Sequence, residues 1–259
     1  MSTSAILKIF LLASILFWNI NGVSASDKGV IEIVSLSYYP PYSGKYLYKK
    51  GFSTHLVDKA FRRAGYETKT IMLPFARAYR AVKKGRYDVV HSIWFRKNRT
   101  EFFEYTDPYQ RTELVFAHQS DDEFTFYGME NVYGETVALV KAYDYPNYIS
   151  NSSKFKKYRT RNLRNSLAML AAGRVDLAIG DRKAMKHIAS NNKEEIGNKI
   201  KVGSRSVRID PLYVAVSKKI DKHEKIAKKF NKALKSMQND GMYDRIMTEH
   251  GFPTHVKLR

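Results

Sequence analysis

The sequence contains one short pattern twice, starting at Ala81 and again at Met169. Residues 81–90 and 169–178 both read as the end of an apolar helix, then Gly-Arg-x-Asp, then an apolar run. The glycine ends the helix in a left-handed conformation, and the aspartate can hydrogen-bond to the turn. One copy would be an ordinary helix-to-strand turn. Two copies predict two α/β lobes of related design.

The rest of the chain alternates strands and helices. Apolar or β-branched runs predict strands over 30–36, 68–73, 89–93, 113–118 and 212–217. Helices with an apolar face are predicted from Ser53 or Thr54 to Gly65, over 76–84, over 221–240 and over 242–249. This alternation predicts an α/β fold with largely parallel sheets.

Residues 1–25 have the pattern of a cleaved secretory signal peptide. Lys8 precedes an apolar run over 9–18, which is shorter than the roughly 20 residues that a membrane-spanning helix needs. Small residues at 23–25 then suit a signal peptidase. We predict cleavage before Ser26 and a periplasmic mature protein. The alternative is an N-terminal membrane anchor.

The net charge of +20, from 45 Lys+Arg against 25 Asp+Glu, would suit a nucleic-acid partner. However, the basic residues are spread along the whole chain, which indicates a basic surface instead, and export makes nucleic acid a poor partner. We therefore expect no nucleic acid and a monomer. The basic surface would attract anionic ligands or anionic headgroups.

Several classes of catalytic and metal site are excluded by the residues present. The chain has no cysteine, which excludes disulfides, thiol nucleophiles and cysteine-bound zinc. Its seven histidines form no close ligand pair, and the common motifs of metalloproteases, serine hydrolases and nucleotide-binding enzymes are missing. We expect no catalysis, no metal and no cofactor.

Aromatic and charged residues follow the predicted strands. In α/β sheets, ligands bind beyond the carboxyl ends of the strands. Four segments lie there, namely the loop at 38–42, the region of Phe75, the stretch 91–99, and Gly180-Asp181. The sequence therefore predicts a small-molecule site formed by these segments.

Six motifs follow one another along the chain in the order of a known family. They are Tyr-Pro-Pro-Tyr at 39–42, Gly51-Phe52, Gly-Arg-Tyr-Asp at 85–88, Arg99 with Tyr-Thr-Asp-Pro-Tyr at 105–109, Gly-Arg-Val-Asp at 173–176 with Asp181, and Asp-Gly-Met-Tyr-Asp-Arg-Ile at 240–246. From about residue 30 to residue 251, the chain resembles the family 3 extracellular solute-binding proteins, the amino-acid-binding class of ABC importers.

The resemblance implies a type II periplasmic binding protein fold. Two α/β lobes would be joined by two hinge strands near 113–118 and 207–214, and the lobes would close on a ligand between them. Lobe one would take residues 26–115 and 210–259. Lobe two would take residues 116–209.

The resemblance also implies roles for individual residues. Tyr39 and Phe75 would sandwich the ligand, Arg99 would clamp an anionic group, and Ser92 would add a hydroxyl or backbone contact. Asp181 would hold an ammonium or another donor, facing Arg99 across the cleft. The alternatives are that Arg99 is a surface residue, that Asp181 caps the helix beginning at Arg182, and that Tyr39 and Phe75 are core aromatics.

Three departures from the family pattern concern the ligand. Trp94 stands where amino-acid binders carry Ser or Thr, and Tyr143-Asp144 replaces a small turn that meets the carboxylate. An acid beside a carboxylate site is unfavourable unless it is protonated or paired. Leu36 replaces an acid that selects cationic side chains, so a Lys- or Arg-type ligand is disfavoured. In addition, the segment at 74–79 resembles a poorly assigned branch of the family.

Three functions are compatible with these residues. The first is capture of a small polar solute, an amino acid or related carboxylate, for an ABC importer. The second is ligand sensing for a membrane signalling partner. The third is a dehydratase-like enzyme on the same fold, with Asp144 as general acid. We expect the first, with an ABC permease or a membrane sensor as the partner.

Overall fold

The computed structural model describes residues 29–141 and 143–253. The predicted signal peptide therefore lies outside the described residues. Within them, no helix is long and apolar enough to span a membrane.

The described chain alternates strands and helices along most of its length. The strands are β1 Val30–Leu36, β2 Tyr38–Tyr39, β3 Ser43–Gly44, β4 Glu67–Leu73, β5 Val89–Trp94, β6 Phe103–Tyr105, β7 Gln110–Gln119, β8 Thr136–Val140, β9 Lys156–Thr160, β10 Leu177–Asp181 and β11 Ile200–Ser217. The α-helices are α1 Phe52–Arg63, α2 Phe75–Lys83, α3 Asn147–Ser150, α4 Leu163–Ala171, α5 Arg182–Ser190, α6 His223–Asn239 and α7 Met242–Glu249.

The main sheet has two parallel halves on either side of a central antiparallel pair. Its strand order is β4-β1-β5-β11-β7-β10-β8-β9, with β6 added on β11. Strands β4, β1 and β5 are mutually parallel, as are β10, β8 and β9. Strands β7 and β11 run antiparallel to each other from Ile200 opposite Gln119 to Leu212 opposite Gln110. Both predicted hinge segments fall within β7 and β11.

The repeated sequence pattern forms the same structure in each half. The units are α2 with β5 and α4 with β10, and their turns contain Gly85 at φ 72° and Gly173 at φ 64°. The carboxylate of Asp88 accepts the N–H of Glu32 at 2.8 Å, at the start of β1. The carboxylate of Asp176 accepts the N–H of Thr136 at 2.7 Å, at the start of β8. Each aspartate therefore fastens its turn to the neighbouring parallel strand.

The apolar faces of the helices cover the sheet. Helix α1 buries Leu56, Val57, Ala60 and Phe61, and α6 buries Phe230 and Leu234 against the same half. Helices α4 and α5 pack on the other half. Because helices cover the parallel strands, the open space that remains lies at the carboxyl ends of those strands.

Candidate ligand-binding site

A cavity of about 400 Å³ lies where the strand ends of the two halves meet. This volume is in the range of small-molecule sites. The first half supplies Leu36, Ser37, Tyr38, Tyr39, Pro40, Pro74, Phe75, Ala76, Ser92, Ile93, Trp94 and Arg99, and the second half supplies Val140, Tyr143, Asp144, Arg161, Asn162, Leu163, Ala184 and Ile188. The cavity therefore brings together seven of the eight residues predicted to form the site, all except Asp181.

Aromatic rings from both halves form the walls. Tyr143, which follows β8, packs edge-on against Tyr39 and against Trp94, with ring centroids 6.3 Å apart in both pairs. Burial raises the pKa of Tyr39 and of Tyr143 well above that of a free tyrosine. Both phenols therefore stay neutral at working pH and present an O–H group and an apolar ring. The wall suits the flat apolar body of a ligand.

Ser92 lies at the floor of the cavity in a strained conformation. Its φ of 58° is in the left-handed region, which a non-glycine residue adopts at a cost of about 1–2 kcal/mol. The Ser92 N–H donates to the Tyr109 hydroxyl at 3.0 Å, and the Ser92 hydroxyl lies 2.9 Å from Nδ1 of His91. These bonds fix the unusual backbone and the position of the hydroxyl.

His91 links Ser92 to a buried polar network beneath the cavity. Its Nε2 is hydrogen-bonded to the hydroxyl of Ser35, and the Thr54 hydroxyl is also within reach. Burial lowers the pKa of His91 from 6.5 to about 3, so the ring is neutral. The network positions the cavity floor without placing a charge there.

Arg99 reaches the cavity from a short 3₁₀ turn, Lys97–Arg99. Its guanidinium lies over the ring of Tyr79 at 5.4 Å, and Nη1 donates to the Trp94 carbonyl at 3.4 Å. Nη2 lies 3.5 Å from a carboxylate oxygen of Asp144. These polar contacts are long, so the guanidinium has donors to offer a ligand anion.

Asp144 lies in a cluster of opposite charges at the edge of the cavity. Its carboxylate accepts from Arg96, and its backbone carbonyl accepts from Arg208 at 2.9 Å. Both guanidinium groups lie over the ring of Trp94, at 5.6 and 5.4 Å from its centroid. Asp144, the acid that the sequence analysis expects beside an anion site, is therefore paired with a cation. It also joins the second half of the molecule to the first.

Asp181 does not line the cavity. Its carboxylate caps α5 by accepting the N–H of Ala184 at 2.8 Å, and it also accepts the N–H of Glu113 at 3.1 Å. Burial raises its pKa to about 6, although both N–H groups oppose the shift. The structure thus shows the capping alternative and not a carboxylate facing Arg99. The acid that approaches Arg99 is Asp144, whereas the Asp181 carboxylate turns back onto the helix that it begins.

Sequence reasoning missed Arg161 and Asn162, which line the cavity from the second half. They follow β9, an exposed edge strand of sequence Lys-Lys-Tyr-Arg-Thr that carries no apolar alternation. Asn162 caps α4, as Pro74 precedes α2 in the first half. Extending the repeated pattern upstream from its glycine would have identified 161–163 as the counterpart of 73–75. Over the described residues, no cluster of three or more His, Asp or Glu side chains is suited to a metal.

Residues 31–253 match the family described as bacterial extracellular solute-binding proteins, family 3. The chain belongs to this family. The probable amino-acid-binding protein YxeM of Bacillus subtilis (strain 168) is 22% identical over 239 residues, covering 90% of this chain and 88% of YxeM.

Two solved structures show the same fold. The arginine-binding protein ArgBP of T. maritima, as its P235GK mutant, superposes with a TM-score of 0.72 at 20% identity, covering 85% of this chain and 94% of that one. A histidine kinase sensor domain with similarity to periplasmic binding proteins gives a TM-score of 0.75 at 21% identity, covering 86% and 96%. The predicted α/β type II fold and the family resemblance are confirmed.

Proposed function

We propose that the mature chain captures a small polar solute in the cavity and delivers it to an ABC importer in the membrane. The observation that carries this proposal is the cavity itself, which is enclosed by aromatic residues of both halves and reached by Arg99. The family assignment supports solute binding outside the cytoplasm. Export would follow removal of residues 1–25, and the protein would act as a monomer.

Closure of two lobes would trap the ligand. Lobe one would comprise residues 26–115 and 210–259, and lobe two residues 116–209, with β7 and β11 as the hinge. The contacts of Tyr143 with Tyr39 and Trp94, and of Asp144 with Arg96, cross between these lobes. They therefore form only when the lobes are closed. A ligand between the lobes would add contacts to both sides and favour the closed state.

Within the closed cavity, each type of residue would contact a different part of the ligand. Arg99 would bind an anionic group, since a planar guanidinium forms two parallel hydrogen bonds with a carboxylate. Tyr39, Phe75 and Trp94 would pack on the apolar body, and Ser92 would offer its hydroxyl. Asp144 would stabilise closure by its pairing with Arg96.

Ligand screening tests the proposal. A thermal-shift screen against a metabolite library should give a hit, because a ligand at 100 times its Kd stabilises the protein by about 2.7 kcal/mol. For that hit, Arg99→Gln should weaken binding at least about tenfold. The matched control is Arg62→Gln on α1, whose guanidinium is paired with Asp58 at the surface. Unchanged affinity in Arg99→Gln would refute the anion role.

The structural likeness to a sensor domain supports a second function, ligand sensing for a membrane signalling partner. Uptake of the labelled ligand separates the two functions. Cells lacking the protein should lose uptake if it serves an importer, and should keep uptake while losing a transcriptional response if it serves a sensor. A dehydratase-like activity is less well supported, because Asp144 is engaged by Arg96 and the curated relative described above is named as a binding protein.

A further inference from the structure

The cavity contains cations without a free carboxylate to match them. Arg99 and Arg161 both reach it. Among the described residues that line it, Asp144 is the only acid. Oδ2 of that carboxylate already accepts from Arg96 and lies 3.5 Å from Nη2 of Arg99. A ligand would therefore meet more positive than negative charge.

The second acid in this region is also engaged. Asp181 lies behind the wall with 2% of its surface exposed, and its two oxygens accept backbone N–H groups of Ala184 and Glu113. An ammonium group on the ligand would thus find no carboxylate in the cavity wall that is free of cationic partners. It would also lie close to the guanidinium groups of Arg99 and Arg161, where like charges repel.

A second, adjoining groove strengthens this bias. Arg161 belongs both to the cavity and to an adjoining groove of about 670 Å³, which Lys141, Arg159 and Arg174 also line. We call these four residues the basic groove. Among the described residues that line it, none is acidic. A concave surface of one charge sign concentrates ligands of the opposite sign.

Resting on the proposed function, we infer that the ligand is a carboxylate with a flat, aromatic-sized apolar body and no ammonium group. The rings of Tyr39, Phe75, Trp94 and Tyr143 fit the body, and Arg99 binds the carboxylate. The α-amino group that distinguishes an amino acid from its deamino analogue finds no carboxylate that is free of guanidinium partners. The cavity thereby selects against free amino acids.

Aromatic rings can also bind cations through their faces, which is the strongest competing interaction. The ring of Trp94 already carries the guanidinium groups of Arg96 and Arg208. The ring of Tyr143 is packed between Tyr39 and Trp94. The rings of Trp94 and Tyr143 therefore offer a ligand apolar contact more than open faces for a cation.

Three probes with one phenyl body separate these interpretations. They are 3-phenylpropanoate, L-phenylalanine and 2-phenylethylamine, which carry the carboxylate alone, both groups, and the ammonium alone. Binding is measured by calorimetry on the processed protein. Tryptophan fluorescence gives a second readout, since the sequence has only two tryptophans and Trp18 is in the predicted signal peptide, leaving Trp94 in the cavity wall.

We expect 3-phenylpropanoate to bind at least about tenfold more tightly than L-phenylalanine, because the latter buries an unpaired ammonium. The amine should not saturate the protein. Arg99→Gln and Arg161→Gln should weaken binding of 3-phenylpropanoate, whereas Arg62→Gln should not.

Asp144→Asn provides the sharpest contrast. The variant removes one ion pair between the lobes, so any loss of affinity from weaker closure applies equally to 3-phenylpropanoate and to L-phenylalanine, and the ratio of the two affinities should not change. If Asp144 instead held a ligand ammonium, the variant would lose at least about tenfold more affinity for L-phenylalanine than for 3-phenylpropanoate. A thermal unfolding curve on each variant confirms that the fold is kept.

Each remaining outcome overturns the inference. Tighter binding of L-phenylalanine or of the amine than of 3-phenylpropanoate refutes the absence of an ammonium site. Failure of all three probes, with a library hit of another class, refutes the aromatic carboxylate and leaves the proposed function standing. Failure of the probes and of the whole library refutes both.

Discussion

Replacing Asp181 by Asn should change how the stability of the protein depends on pH. The carboxyl group is almost fully buried, and burial raises its pKa from 3.8 to about 6. In the unfolded chain the pKa returns to about 3.9. The folded state therefore binds this proton more tightly. The resulting stabilisation is fully present below about pH 4 and is lost as the pH rises through 6.

The size of the effect follows from the two pKa values. A difference of about two pH units corresponds to about 3 kcal/mol. About 2 kcal/mol of this change falls between about pH 4.5 and pH 7.5. Because Asn does not titrate, the Asp181→Asn variant should gain about 2 kcal/mol relative to the parent across that range. His91 and His55 also titrate, but they do so in both proteins and cancel in the difference.

Urea denaturation of the ligand-free processed protein at several pH values measures this difference. The matched control is Asp121→Asn, which removes an exposed carboxylate instead of the buried one. A flat difference for Asp181→Asn, or one that moves in the opposite direction, would show that Asp181 is solvated or charged in the folded state. The buried cap described above would then be wrong.

Three further predictions use other residues. Gly51→Ala should destabilise the protein by about 1–3 kcal/mol, since Gly51 has φ 95° and a Cβ there would lie 2.6 Å from the Tyr42 carbonyl oxygen. Thermal unfolding measures this loss, and an unchanged Tm would contradict the prediction. The parent should lose stability as the pH falls from about 6.5 towards 3, because His91 takes up a proton in the unfolded chain but stays neutral in the folded one. In urea titrations over that interval, the His91→Gln variant should lose less stability than the parent. N-terminal sequencing of exported protein should begin at Ser26, and a membrane-bound form that retains Met1 would exclude cleavage.

Much of the architecture is local in origin, which is why the sequence could predict it. The turns at Gly85 and Gly173 use left-handed glycines, and their aspartates bond to a neighbouring strand in both halves. Residues such as Tyr39 and Trp94 follow or end buried strands. Since the carboxyl ends of parallel strands meet at one edge of a sheet, these residues converge on the cavity whatever lies between them.

Contacts between distant residues were beyond prediction. Arg96 and Asp144 are 48 positions apart, and no local pattern records that they pair. Asp181 could face the cleft or cap its own helix, and the Ala184 N–H, only three residues away, favours the cap. Arg161 follows an edge strand whose polar residues give no apolar signal.

The sequence by itself therefore determined the α/β fold, the family and which segments reach the site, because these depend on periodicity and on local turn chemistry. Only the tertiary structure decided which charges meet there. Arg99 approaches Asp144 because ion pairing depends on distances between side chains of separate elements, whereas Asp181 accepts the Ala184 N–H in the helix that it begins. That arrangement of charges, and not the list of residues, carries the inference about the ligand.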